Sequence, residues 1–217
     1  MSPDLIIFDC DGVLVDSEPI VNRVFVEMMA ELGFELDYED ILREFSGGSM
    51  STRLQIMQQR LRWSAPPGFE GTFRRRLSEA MRRELRPVEG VAEALAQLRT
   101  PWCVASNGSH EDMRARLGLA GLLSQFEPHL FSASEVGRAK PHPDLFLHAA
   151  RCMGAEPSRC AVIEDSVTGV QAGVRAGMAV FGYARLTAGE SLRRAGAKVF
   201  AHMDELPSLL VGERNGS

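Results

Sequence analysis

The 217-residue chain lacks several features that would fix its class at once. It has four cysteines, Cys10, Cys103, Cys152 and Cys160, with no CxxC spacing and no histidine-rich tract beside them. The cysteines therefore carry no metal-binding pattern and disulfides are disfavoured, so a reduced, intracellular thiol set is expected. Long apolar runs are absent too. Leu5–Phe8 gives only a short one before Asp9, too short for a signal peptide or a membrane span, and the expected location is the cytoplasm. Basic charge is not in excess, with 24 Lys and Arg against 29 Asp and Glu, a net charge of -5. Nucleic acid and anionic membrane are therefore disfavoured as partners, since both select a basic face. Internal repeats and low-complexity tracts are missing, and a monomer is the default.

What remains is ordinary soluble composition, 45% hydrophobic and 24% charged, on a chain long enough for one large domain or two smaller ones. Short apolar runs recur at Leu5–Phe8, Trp102–Ala105, Leu130–Ala133, Cys160–Ile163, Val180–Phe181 and Val199–Phe200. Such runs suit strands covered on both faces. Helical periodicity fills the later intervals, from Gly90–Val91 to Leu98, Leu145 to Met153 and Val167 to Ala176. The alternation predicts an α/β fold, a Rossmann-like open parallel sheet wound by βαβ units. Gly169, Gly173 and Gly177 suggest a small-residue face allowing close helix-to-sheet approach rather than a dinucleotide loop.

One stretch breaks the rhythm. From Ser17 to about Arg83 the pattern is helical only, with Ile20, Val24, Met28 and Leu32 on one face and Leu54, Met57 and Leu61 on another. This stretch carries ten Arg and ten acidic residues, so the rest of the chain holds the whole net charge. Pro66-Pro67-Gly68 interrupts it, and Arg86-Pro87-Val88 marks the return. The expected organisation is an α/β core of residues 1–16 and 84–217, with a helical cap of residues 17–83 inserted after the first strand. The polar tail from Gly212 to Ser217 is expected to fray.

The first run ends in Asp9-Cys10-Asp11-Gly12. A single Asp there would be a turn former or helix cap. An EF-hand fails, because its fifth position would be Val13 and the Gly comes too early. A strand-end site in which a cation offsets the carboxylate repulsion remains, and other strand ends should then contribute. They do: Ser106-Asn107-Gly108 ends the second run, Glu164-Asp165 ends the fourth, and Lys140 lies between them. Clustered carboxylates favour Mg²⁺, while a hydroxyl, an amide, backbone N–H groups and a lysine suit phosphate.

Together "DCDGVLVDSE", "ASNGS", "AKPHPDLF" and "VIEDSVTGVQAG" resemble the haloacid dehalogenase superfamily of aspartyl-phosphate enzymes, in its β-phosphoglucomutase-like, sugar-phosphatase branch. The resemblance runs from Leu5 to about Phe181 in the family's order and spacing. It implies that Asp9 is the nucleophile and Asp11 the general acid/base. It further implies a Mg²⁺ held by Asp9, the backbone carbonyl of Asp11, Asp165 and Glu164, the last as ligand or supporting group. Ser106, Asn107 and Lys140 would then bind the phosphoryl group.

The cap should decide substrate. Its expected contact stretch is Phe45–Leu54, where Gly47-Gly48 allow close approach and Arg53 could meet a phosphate or carboxylate. A solvated helix-face arginine is the alternative. Ser17 and Glu18 either position the cap or cap the helix opening at Pro19. The Arg74-Arg75-Arg76 run reads as solvated surface. Relatives of this branch often carry a His shortly after the DSE segment, but here the chain continues Pro19-Ile20-Val21-Asn22. That favours a Mg²⁺-dependent phosphatase of a sugar or sugar-acid phosphate, such as a phosphogluconate or hexose phosphate. A phosphoglycomutase and a non-catalytic phosphometabolite-binding protein are the alternatives.

Overall fold

The computed structural model describes residues 2–38, 41 and 50–211. Among these, Phe45, Gly47 and Gly48 of the expected contact stretch and the Gly212–Ser217 tail do not fall. The chain divides into two compact units, one of Met1–Asp16 with Arg86–Ser217, the other Ser17–Leu85.

The first unit is built on six parallel strands: β1 (Leu5–Phe8), β2 (Trp102–Ser106), β3 (Leu130–Ser132), β4 (Cys160–Glu164), β5 (Ala179–Tyr183) and β6 (Lys198–Phe200). Their order across the sheet is β3-β2-β1-β4-β5-β6. β1 is buried at every position because helices cover both faces, which is why its sequence shows an unbroken apolar run. The connecting helices are α4 (Val91–Gln97), α5 (His110–Leu119), α6 (Leu123–Phe126), α7 (Asp144–Cys152), α8 (Val167–Arg175), α9 (Gly189–Ala195) and α10 (Leu206–Val211). Helix α7 packs on β1, β2 and β3 through Leu145, Phe146, Ala149 and Ala150, all fully buried. The strand order reverses between β1 and β4, and it is outside the carboxyl ends of such strands that ligands bind.

Two of the three periodic glycines serve close packing. A Cβ on Gly173 would lie 2.7 Å from Val180 Cγ2, and one on Gly169 would lie 1.7 Å from Glu164 Oε1. Gly177 does not share that role. It follows the end of α8 with φ +73° and open space around it, so it terminates the helix. The chain leaves and re-enters this unit side by side: Asp16 N–H donates to Arg86 C=O at 3.0 Å and Val88 N–H to Leu14 C=O at 3.0 Å. Arg185 holds Asp16 with two hydrogen bonds of 2.6 Å.

The second unit is helical, with α1 (Glu18–Glu31), α2 (Met50–Leu61) and α3 (Phe69–Glu84). Ile20, Val24, Phe25, Met28 and Met29 of α1 are buried, and Phe25 meets the ring edges of Phe69 and Phe73. Leu32, the last residue of the apolar stripe, is 42% exposed because α1 ends at Glu31, before it. Gly68, at φ +82°, opens α3 after the two prolines. Arg74, Arg75 and Arg76 pair with Glu70, Glu79 and Glu31 on the exposed side.

Candidate active site

The loop after β1 turns sharply at Gly12, whose φ of +79° and whose missing Cβ are both required: a Cβ there would lie 2.0 Å from Asp165 Oδ2. The turn therefore sets the β1 and β4 loops against each other. Asp9, Glu164 and Asp165 are all buried, and each can offer a carboxylate oxygen within 4.8 Å of the others. Asp9 is 9% exposed and Lys140 8%, so this is a desolvated set of charges rather than a surface patch.

Lys140 is one of only two lysines in the chain, and it offsets part of the cluster's charge by pairing with Asp9 and Glu164. Its ammonium group donates to Asp9 Oδ1 at 2.5 Å, Glu164 Oε1 at 2.8 Å and the Ala105 carbonyl at 2.9 Å, using all three protons. Phe146 lies beneath it, with the nitrogen 4.8 Å from the ring centroid. Glu164 Oε2 accepts from the backbone N–H of Asp165 and Ser166, at 3.0 Å each, and from Ser166 Oγ at 2.9 Å. Both Glu164 oxygens are thus occupied, one on the lysine and one on the loop that carries Asp165. Burial pushes the Asp9 carboxyl up to about 7; Lys140 opposes this, and Glu164 and Asp11 add to it. The same carboxylates hold the Lys140 ammonium firmly charged despite its burial.

Ser106 closes β2 and is buried; its Oγ accepts from Gly108 N–H at 3.1 Å. Asn107 is exposed, but its side chain ties two loops together: Oδ1 accepts from Lys140 N–H at 3.0 Å and Nδ2 donates to Lys140 C=O at 3.5 Å. Asp11 is held by Arg116 of α5, whose guanidinium donates to Asp11 Oδ2. That carboxylate raises the guanidinium's affinity for its proton further. The structure therefore gathers Asp9, Asp11, Ser106, Asn107, Lys140, Glu164 and Asp165 in the first unit, at the carboxyl ends of β1, β2 and β4 and on the connection after β3.

Sequence reasoning missed Arg116. It sits in HEDMRARLGL, a helix without a clear apolar stripe, and nothing in that pattern distinguishes it from Arg114, which pairs with Glu127 on the surface. Of the proposed substrate contacts, Ser17, Glu18 and Arg53 belong to the helical unit. Arg53 is not the solvated arginine that a helix face allows. It is 1% exposed, donates to Asn22 Oδ1, and bonds to Glu18 Oε2 at 3.2 Å. A guanidinium removed from water needs such partners. Ser17 precedes α1 without a capping bond from its side chain to the helix.

The model of the haloacid dehalogenase-like hydrolases matches residues 3–177. The chain belongs to that family. It is 33% identical over 207 residues to the 6-phosphogluconate phosphatase of Escherichia coli K12, covering 95% of this chain and 94% of that one. Hexitol phosphatase B of the same organism is 31% identical over 178 residues, 79% of each chain. Among solved structures, a haloacid dehalogenase family hydrolase from Deinococcus radiodurans R1, with bound phosphate and sodium, superposes with a TM-score of 0.84 at 36% identity, covering 97% of this chain and 96% of that one. Family membership and these phosphatase relatives place the chain on the sugar-phosphatase branch and make it a phosphoric monoester hydrolase.

Proposed function

We propose that this hydrolase is a Mg²⁺-dependent phosphatase of a sugar or sugar-acid phosphate that works through an aspartyl-phosphate on Asp9. The observation that supports this best is the buried Lys140 bridge between Asp9 and Glu164, with an Asp165 carboxylate oxygen within 4.8 Å of both carboxylates. The donor set fits a hard cation: three buried carboxylates and one lysine leave excess negative charge, and every candidate ligand atom is oxygen. Asp9, Asp165 and the Asp11 carbonyl would hold the cation. Glu164, already bonded at both oxygens, orients Lys140 and the Asp165 loop around it. A bound Mg²⁺ supplies neutralisation of the phosphoryl oxygens as the substrate enters.

In this reading an Asp9 oxygen attacks phosphorus while the ester oxygen leaves with a proton from the Asp11 carboxylic acid. Water then attacks the aspartyl phosphate, passing its proton to Asp11, and inorganic phosphate and free Asp9 result. Ser106 Oγ, the Asn107 backbone and the Lys140 ammonium hold the phosphoryl oxygens through both transfers.

For substrate, the relatives named as acting on 6-phosphogluconate, hexitol phosphates and fructose 1-phosphate favour a phosphorylated sugar or sugar acid, met by the helical cap. Gly48 and Arg53 with Ser17 and Glu18 remain the proposed cap contributions, Arg53 acting from its bonded position beside Glu18. The mutase alternative is weakened by Pro19-Ile20-Val21-Asn22, which offers no histidine. A panel of sugar and sugar-acid phosphates with Mg²⁺ tests the reading. Free phosphate without isomerised sugar is expected. Isomer formed without phosphate release would overturn it in favour of a mutase, and inertness equal to that of Asp9→Asn would favour a binding protein.

A further inference from the structure

The turn after β3 is bonded to the loop after β2 at two points, and neither is explained by the chemistry above. Ser132, fully buried at the end of β3, donates from Oγ to the Gly108 carbonyl at 2.7 Å. The same Oγ accepts from Ser134 N–H at 3.1 Å and lies 2.8 Å from Ser134 Oγ; because the Gly108 carbonyl can only accept, the Ser132 proton goes to Gly108 and Ser134 Oγ is the donor in the other contact. Gly108 in turn donates its N–H to Ser106 Oγ at 3.1 Å. With that lone pair of Ser106 engaged, the Ser106 hydroxyl proton is left to point elsewhere. Two residues on, His110 at the start of α5 has Nε2 3.1 Å from Glu135 Oε2. The same oxygen accepts from Ser132 N–H at 2.6 Å. The other imidazole nitrogen, His110 Nδ1, is buried and has no hydrogen-bond partner, so Glu135 is the polar anchor of that ring.

From this we infer that Ser132 and Glu135 are positioning residues for Ser106: they brace the Ser106–His110 segment from below, so that the Ser106 hydroxyl is aimed as a donor at the phosphoryl group. A loop with Gly at its centre would otherwise sample several peptide orientations, and only some present Ser106 in this way. Ser132 fixes the plane of the peptide that follows Gly108, and Glu135 fixes both Ser132 and the residue that opens α5. Neither residue touches the substrate. The inference rests on the reading of Ser106 as a phosphoryl-binding donor.

The test uses the full chain with Mg²⁺ and an aryl phosphate, with inorganic phosphate as a competing ligand. Ser132→Ala should lower kcat/KM by about tenfold to a hundredfold and weaken inhibition by inorganic phosphate by a similar factor. The double variant Ser106→Ala/Ser132→Ala should be no slower than Ser106→Ala alone, because Ser132 acts through Ser106. Should Ser132→Ala fail to fold, the exposed Glu135 carries the test: Glu135→Ala should repeat the loss, and Glu135→Gln, which keeps an acceptor oxygen, should restore most of it. Activity of Ser132→Ala or Glu135→Ala within twofold of the unaltered protein overturns the inference, as do losses that multiply in the double variant. Those results leave Ser106 in its role if Ser106→Ala is itself slow. Full activity in Ser106→Ala would instead remove the reading beneath, and this inference with it.

Discussion

Lys140 and Glu164 show how few residues settle the electrostatics of the site. Three buried carboxylates would repel one another strongly in a poorly solvated setting, and a single ammonium with three acceptors makes their proximity tolerable. The glycines are as specific as the charges. Gly169 lies so close to Glu164 that an added methyl group would overlap the carboxylate. Gly169→Ala should therefore destabilise the fold by about 1–3 kcal/mol, read as a lower urea midpoint, and should lower activity by displacing Glu164 from Lys140. At this scale the sequence was legible wherever a chemical type stood at a strand end, as Asp9, Ser106, Glu164 and Asp165 do, or in the marked loop that carries Lys140; none needed a partner to be noticed. Arg116, Ser132 and Glu135 were not legible, because their meaning lies in what they face. The burial of Arg53 was not legible for the same reason. A helical pattern gives a side chain its spacing but not the Glu18 and Asn22 groups that bury it.

The elements around the site are fixed by caps. Ser166 caps α8 by accepting from Gly169 N–H at 3.0 Å while its hydroxyl also donates to Glu164. One side chain thereby joins the start of a helix to the carboxylate cluster. Ser166→Ala should cost about 0.5–2 kcal/mol of stability, measured by chemical denaturation, and the loss should exceed that of Ser109→Ala, whose cap on α5 serves the helix and Asp112 only. A second cap makes a pH prediction. Glu205 accepts from the backbone N–H of Ala201 and His202, which holds its carboxyl below the usual glutamate range. A depressed carboxyl stabilises the fold above its unfolded value and loses that contribution as pH falls through the folded one. Glu205→Gln should accordingly flatten the acid limb of the melting-temperature profile; an unchanged limb would contradict the assignment. The six strands of the α/β unit and helices α4, α7 and α8 were readable from apolar runs and period, whereas α5, without a clear apolar stripe, and the short α6, α9 and α10 were not. The end of α1 was not, since Leu32 continues the stripe after the helix has stopped.

Across the whole molecule, the parallel sheet delivers the carboxyl ends of β1, β2 and β4 to one edge, and acidic charge accumulates there. The proposed Mg²⁺ site exists in the native state and not in the unfolded chain, so cation binding there should stabilise the fold by mass action. Millimolar Mg²⁺ should raise the melting temperature, a chelator should reverse the rise, and Asp165→Asn should abolish it. A melting temperature indifferent to Mg²⁺ would contradict the proposed metal site. The order of motifs along the chain made the parallel α/β architecture of this unit legible in the sequence. The substrate was not legible, because periodicity does not encode the shape of the helical unit that is proposed to select it.

The central claim is that phosphoryl transfer runs through Asp9. Its most direct measurement is phosphate release from an aryl phosphate with Mg²⁺, comparing the unaltered chain with Asp9→Asn and analysing the acid-quenched protein for covalent phosphate. The account predicts turnover by the unaltered chain, a hydroxylamine-sensitive phosphate on the peptide containing Asp9, and at least a thousandfold loss in Asp9→Asn, roughly the scale of removing a covalent nucleophile. Asp9→Asn turning over at the unaltered rate would contradict it.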